Sequence, residues 1–313
     1  VTSVAVLGEA IVDLVPAPDG STFTAVPGGS PYNVAIGLGR LDRRPLLLAR
    51  LSGDGFGAML RRHAAASGVD LSSAAASDAP SALAVASLDG HGQASYEFYG
   101  DLSADWVAPR KPLRLLHFGS IASWHGDRVR EFVDSVRAAG TLIAYDPNVR
   151  PGLLGDPAGA VAVIQERIHL AHVVKASEED VRWLYPHVDP VTAVRGWLAL
   201  GPSLVILTRG SAGTVSFTSQ GVHASRAARQ VPVVDTVGAG DAFTAGLIDG
   251  LLARDLTDPQ ALGALEALAL VDLLERAGTL AELTCARRGA DPPTRAELDA
   301  HYAGWLQRSA AGA

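Results

Sequence analysis

Lysine is almost missing from this chain: Lys111 and Lys175 are the only two, and the formal net charge is −7. So acidic a balance excludes nucleic acid as the main partner, because phosphate backbones select basic surfaces. Cysteine is equally scarce. With Cys285 alone, no intramolecular disulfide forms and nothing calls for an oxidising compartment. No apolar run is long enough to span a bilayer. The opening VTSVAVLGEAIVDLVP also lacks the basic start and small-residue cleavage site of a secretory signal. The expectation is a cytoplasmic protein with no membrane partner.

What is present fits an enzyme-sized globular chain. Of 313 residues 48% are hydrophobic and 19% charged, enough to fill a large core and too apolar for disorder. Short runs rich in Val, Leu and Ile, at 4–7, 46–51, 113–118, 142–145, 173–174 and 204–208, read as buried strands. Helical stretches are expected at 31–41, 56–67, 127–139, 157–170, 178–184 and 190–200. Further helices are expected at 242–253, 259–275 and 295–306. Strand and helix in alternation, with strands apolar throughout, imply a mostly parallel sheet covered on both faces.

One region breaks that pattern. Residues 82–87 and 94–99 flank LDGHGQ and read as a hairpin turning at 89–92. The second strand, ASYEFYG, is aromatic and alternating, and the segment from 11 to 26 is extended and turn-rich. These separated pieces assemble into a small sheet over the main domain, or form an ordinary edge hairpin.

The stretch VPVVDTVGAGDAFTAGLIDGLL reads as strand, glycine turn and helix. Gly238 and Gly240 permit backbone angles closed to other residues, so successive N–H groups converge on one anion. The helix start adds unpaired N–H groups and the positive end of its dipole. Asp241, in the first helical turn, is placed to accept a proton and, beside a helix N-terminus, is expected to have a low pKa. Asp235, before the turn, braces the loop or helps hold a cation. A dinucleotide loop is excluded by Phe243, which stands where the third glycine of G-x-G-x-x-G belongs. A P-loop needs a lysine after glycine, and neither lysine follows one. An aspartate N-cap on a glycine-entered helix is the structural alternative.

DTVGAGDAF resembles the C-terminal signature of the ribokinase-like (PfkB) sugar kinases, and GGSPYNVAIGLGRLDRRP their N-terminal signature. GEAIVDLVP, DPNVR, VVKASEED and CARRGADPPT are similar to local motifs of the bacterial fructokinase branch, in the same order and across essentially the whole chain. The resemblance implies one domain over 1–313: a three-layer α/β/α fold with a mostly parallel central sheet, plus a discontinuous β lid from about 11–27 and 82–103. It implies ATP-dependent phosphoryl transfer to a sugar hydroxyl, with Mg²⁺ and K⁺ as cations. A homodimer through the lid is the oligomer that relatives suggest. A binding protein without catalysis is the alternative from another class, against which Asp241 and both glycines are intact.

Residue by residue, the resemblance makes the backbone of Gly238, Ala239 and Gly240 an anion hole and Asp241 the catalytic base. It gives the sugar to Asp13, Gly28, Gly29, Asn33, Phe98 and Arg150. It gives the nucleotide to Lys175, Thr208, Gly210 and Gly213. Asp180, with Glu179 beside it, takes the acidic position near Mg²⁺, and Asp235, Val237 and Gly289 match a monovalent-cation site. The chain departs from the family at Glu275, Arg276 and Glu282, where relatives usually carry small apolar residues near the adenine pocket.

Overall fold

Val4–Leu7, Leu115–Gly119 and Leu142–Asp146 are buried at every position, as the central strands must be when helices cover both faces of a parallel sheet. They form the centre of an eight-stranded sheet in the computed structural model, which describes residues 4–17, 19–88, 94–124 and 126–311. From one edge the order is Leu46–Leu48, Val4–Leu7, Leu115–Gly119, Leu142–Asp146, Val173–Ser177 and Leu204–Thr208, all parallel. Thr214–Thr218 and His223–Arg226 complete the other edge antiparallel. One face packs on the helices Ser30–Arg40, Ala239–Ala253 and Ala267–Cys285. The other packs on Asp127–Ala138, Pro157–Leu170, Glu178–Leu184 and Pro190–Gly196. The fold is therefore a three-layer α/β/α sandwich.

The middle helix of the first layer positions the glycine turn. Ala239–Ala253 is buried along nearly its whole length because its small residues allow close approach on two sides. A Cβ on Gly246 would stand 2.9 Å from the Ala277 backbone, so that face admits only glycine. Asp249, fully buried on the same helix, accepts from Arg43, Arg276 and Arg295 and ties the helix to three separate elements.

The separated segments 11–28 and 83–99 do join in a second sheet, ordered Phe23–Gly28, Ile11–Pro16, Leu83–Leu88 and Ala94–Tyr99. The expected turn at 89–92 lies outside the described residues. Register aligns Val26, Asp13, Ala84 and Phe98 in one row, and such a row shares one face of the sheet.

Several expected elements change. The run 46–51 divides at Ala49: Leu46–Leu48 stays in the main sheet and Arg50–Ser52 pairs with Ala75–Ser77. The run 259–275 divides into Pro259–Gly263 and Ala267–Cys285, and the end of 190–200 tightens into a 3₁₀ turn, Trp197–Leu200. The strand expected before the glycine turn does not form. Val233 and Val234 are 64% and 60% exposed, and the N–H groups of Val234 and Asp235 donate to the Cys285 carbonyl at a helix end rather than to a strand.

Candidate active site

The loops that follow the parallel strands gather at one end of the sheet, where open α/β sheets bind ligands. They carry Ser120, Asn148–Arg150, Ser177–Asp180 and Thr208–Gly213. The glycine turn and the small sheet approach the same crevice.

Gly238 is the N-cap of the Ala239–Ala253 helix, left-handed at φ 76°, and no side chain caps that helix. A Cβ here would lie 2.5 Å from that of Ala290, so position and conformation both require glycine. Ala239 commits its N–H to the Thr236 carbonyl at 3.2 Å and Ala242 returns its own to Gly238 at 2.8 Å. The N–H groups of Gly240 and Asp241, between them in the first turn, have no acceptor within the helix. Such a helix end suits an anion.

Asp241 is not the cap of this helix, since Gly238 holds that position. Its carboxylate reaches across to the neighbouring helix, accepting from the Ser30 hydroxyl at 2.6 Å and the Asn33 amide at 2.9 Å. Burial pushes the carboxyl above the ordinary aspartate value, although Ser30, Asn33 and the Lys175 charge favour ionisation. The low pKa expected from the helix end alone is thus corrected: desolvation outweighs the dipole here.

Beneath the turn lies a buried ion pair, with Lys175 Nζ 2.8 Å from the Asp146 carboxylate. A Cβ on Gly240 would stand 3.2 Å from Nζ, so the ammonium sits directly under the turn. Burial disfavours its charge, but Asp146, with Asp241 and Asp180, overcomes this and holds the lysine above its usual range. Asp180 lies beside the same pair, accepts from the Val149 N–H at 3.1 Å, and is raised to about 6 by burial and by Asp146. Glu179 is exposed. Both line a cavity of about 170 Å³ with Asn148, Arg150, Ser177 and Trp183.

On the small sheet, Asp13 presses on Gly28: a Cβ there would lie 2.1 Å from its carboxylate. Gly29 adopts φ 101° and faces the Glu9 carbonyl. The Asp13 carboxyl is raised to about 6 by burial, with Arg150 opposing the rise and Asp241 adding to it. Phe98 packs on Ile11, Ala82 and Ala84, while Tyr96, two residues away on the same face, is 45% exposed and within electrostatic reach of Asp13 and Arg150.

Further round the crevice, Thr208 donates to the Ala176 carbonyl at 3.3 Å, and Gly210 and Gly213 turn the next loop at φ 53° and 85°. Asp235 braces the glycine turn: its carboxylate accepts from Val237 at 3.0 Å and Gly289 at 2.8 Å. The charges at the family departure are satisfied internally. Glu275 and Glu282 pair with Arg226 at 3.2 and 2.7 Å, Glu275 also with Arg229, and Arg276 with Asp249.

The sequence reading missed Ser30, Asp146, Glu9, Ser120 and Asn148. Four of them lie inside quoted motifs, GGSPYN, DPNVR and GEAIVDLVP, so the signal was a polar residue within a motif already singled out. Ser120 carried none. Among the described residues no helix is long and apolar enough to cross a membrane.

Residues 1–297 match the family model described as pfkB family carbohydrate kinase. A fructokinase from Salmonella typhimurium is 36% identical over 270 residues, covering 82% of this chain and 87% of that protein. The structure of a fructokinase with bound ATP from Xylella fastidiosa superposes with a TM-score of 0.83 at 26% identity, covering 96% and 97% of the two chains. A fructokinase double mutant from Vibrio cholerae O395, in fructose-, ADP- and potassium-bound form, gives 0.81 at 26% identity, covering 96% and 97%.

Proposed function

The chain belongs to the pfkB family of carbohydrate kinases, and from that premise we propose that it moves the γ-phosphoryl group of ATP to a primary hydroxyl of a ketose, fructose becoming fructose 6-phosphate. One observation carries the chemistry: Asp241 stands in the first turn of an uncapped helix with its carboxylate fixed by Ser30 and Asn33. Asp241 takes the proton of the attacking hydroxyl as the new O–P bond forms and the bond to the ADP oxygen breaks. Its raised basicity suits that role, because a base near the working pH transfers a proton with more driving force. Charge spreading over the phosphoryl oxygens meets the N–H groups of the turn, with the Lys175 ammonium beneath.

Asp13, Asn33 and Arg150 hold the sugar, and Gly28 and Gly29 let the backbone close on it. Phe98 and Tyr96 line the face of the small sheet that acts as a lid excluding water. Val15 and Tyr96 leave exposed apolar surface on that face, which a homodimer through the lid would cover. ATP lies along Thr208, Gly210 and Gly213 towards the turn.

Among the described residues no group of three His, Cys, Asp or Glu side chains is placed to hold a metal ion by itself. Asp180 and Glu179, which line one small cavity, would hold Mg²⁺ through water, and the bound cation would supply positive charge to offset that of the phosphates. K⁺ would sit against the backbone of Asp235, Val237 and Gly289, whose loops the Asp235 carboxylate already ties together.

The test is ADP release with ATP and Mg²⁺ across fructose, 2-keto-3-deoxygluconate, ribose and adenosine. Fructose should be preferred by a large factor in kcat/KM, since buried polar groups left unpaired reject a wrong sugar strongly. Preference for another acceptor overturns the ketose assignment, and no turnover with any overturns catalysis.

A further inference from the structure

Two residues other than glycine adopt left-handed backbone just past neighbouring parallel strands: Ser120 at φ 56° and Asn148 at φ 41°. Serine gains nothing sterically there, so surrounding contacts must impose it. Register sets Gly119 opposite Asp146, and the side chains beyond that pair meet, Asn148 Nδ2 donating to Ser120 Oγ at 3.3 Å. The other end of the Asn148 amide accepts from the Arg150 guanidinium at 2.9 Å. Arg150 also donates to the carbonyl of Val149 at 3.0 Å.

Behind Ser120 stands Glu9, 4% exposed. Its carboxylate hydrogen-bonds Ser120 and accepts the Ala122 N–H at 3.1 Å. The Ser120 carbonyl is held by the Ser123 hydroxyl at 2.7 Å, and the Asn148 N–H by Asp146 at 3.1 Å. A continuous polar chain therefore runs from the end of the first strand, through Ser120 and Asn148, to Arg150. Arg150 ends it within electrostatic reach of Asp13 and Asp180, between the sugar side and the acidic side of the crevice.

We propose that Ser120 and Asn148, anchored on the buried Glu9, are positioning residues that aim Arg150 at the sugar and the incoming phosphoryl group. The inference rests on the reading of Arg150 as a ligand of that site. It gives the left-handed backbone at two non-glycine positions a use: in that conformation each side chain is held by partners on two sides.

Asn148→Gly and Ser120→Gly test it, because glycine accepts the same φ and only the side chain is lost. Each is made alone and combined with Arg150→Ala, with melting temperature, kcat, and KM for fructose and ATP measured. Asn148→Gly should lower kcat/KM for fructose about tenfold while KM for ATP stays within about twofold, the scale of a misplaced binding group. In the Arg150→Ala background it should have almost no further effect, since residues acting through one group are non-additive. Ser120→Gly should follow in the same direction with a smaller effect, and serves if Asn148→Gly does not fold. If Arg150→Ala is itself silent, the assignment of Arg150 to the site falls. If Arg150→Ala is impaired but Asn148→Gly is silent, or costs the same factor in both backgrounds, the positioning role is overturned.

Discussion

Asp13→Asn should make the ligand-free protein more stable and the enzyme nearly inactive. The Asp13 carboxyl is half-buried against Gly28 and raised from 3.8 to about 6 by burial, opposed by Arg150 and reinforced by Asp241. A displacement of that size corresponds to about 3 kcal/mol at full strength. Water still reaches part of the group, so about 1–2 kcal/mol is the realistic penalty. The sign follows from proton counting. Between about pH 4 and 6 the folded chain keeps a proton that the unfolded chain has released, so stability falls as pH rises through that window, and the penalty is complete above it. Asparagine has the same shape and no charge to desolvate. At pH 7.5 the variant should melt roughly 2–5 °C higher than the parent protein, and at pH 4.5 the gain should shrink to about a third of that. Thermal unfolding followed by circular dichroism at both pH values measures this. Activity should move the other way, with kcat/KM for fructose falling at least about 10²-fold as the sugar loses a charged acceptor. A melting temperature at pH 7.5 equal to or below the parent's, or a gain independent of pH, would refute the desolvation argument. An unchanged kcat/KM would remove Asp13 from the site.

Asp241→Asn should leave KM for both substrates near normal while kcat drops about 10²-fold or more, the scale of a lost general base; retention of most of kcat would end that assignment. In the parent enzyme kcat should fall as pH drops through a value above that of ordinary aspartate, because Asp241 is raised by burial and, as the proposed base, has to be unprotonated to act. The reaction should need Mg²⁺ or Mn²⁺ and run faster in K⁺ than in Na⁺. Equal rates in K⁺, Na⁺ and a bulky organic cation would dismiss the monovalent site at Asp235, Val237 and Gly289.

The parts legible in the sequence were those written locally. Continuous apolar runs fixed the central parallel strands, and two glycines beside an aspartate marked the turn. Edges were harder. Thr214–Thr218 alternates in burial and His223–Arg226 reads HASR, mostly polar, so neither produces an apolar run. Val233 and Val234 do form one and yet lie exposed, because the backbone there bonds to the Cys285 carbonyl at a helix end and not to a strand. Ser30 was invisible for a related reason. Its importance comes from Asp241, 211 positions away, and appears only when two helices pack side by side.

The charge state of Asp241 shows where local reasoning stops. A carboxylate in the first turn of a helix, met by two hydrogen-bond donors and a nearby ammonium, has three local reasons to be strongly acidic. Each of them is present, yet burial among the Ser30–Arg40 helix, the glycine turn and the Asp146–Lys175 pair outweighs them. The proposed role of Asp241 as the base needs that outcome. A base fully stabilised as an anion holds a proton too weakly to draw one from a sugar hydroxyl, whereas a desolvated carboxylate held in place by Ser30 and Asn33 keeps its basicity and its aim together. The two bonds that lower the pKa are therefore best understood as orientation, and the packing that raises it as reactivity.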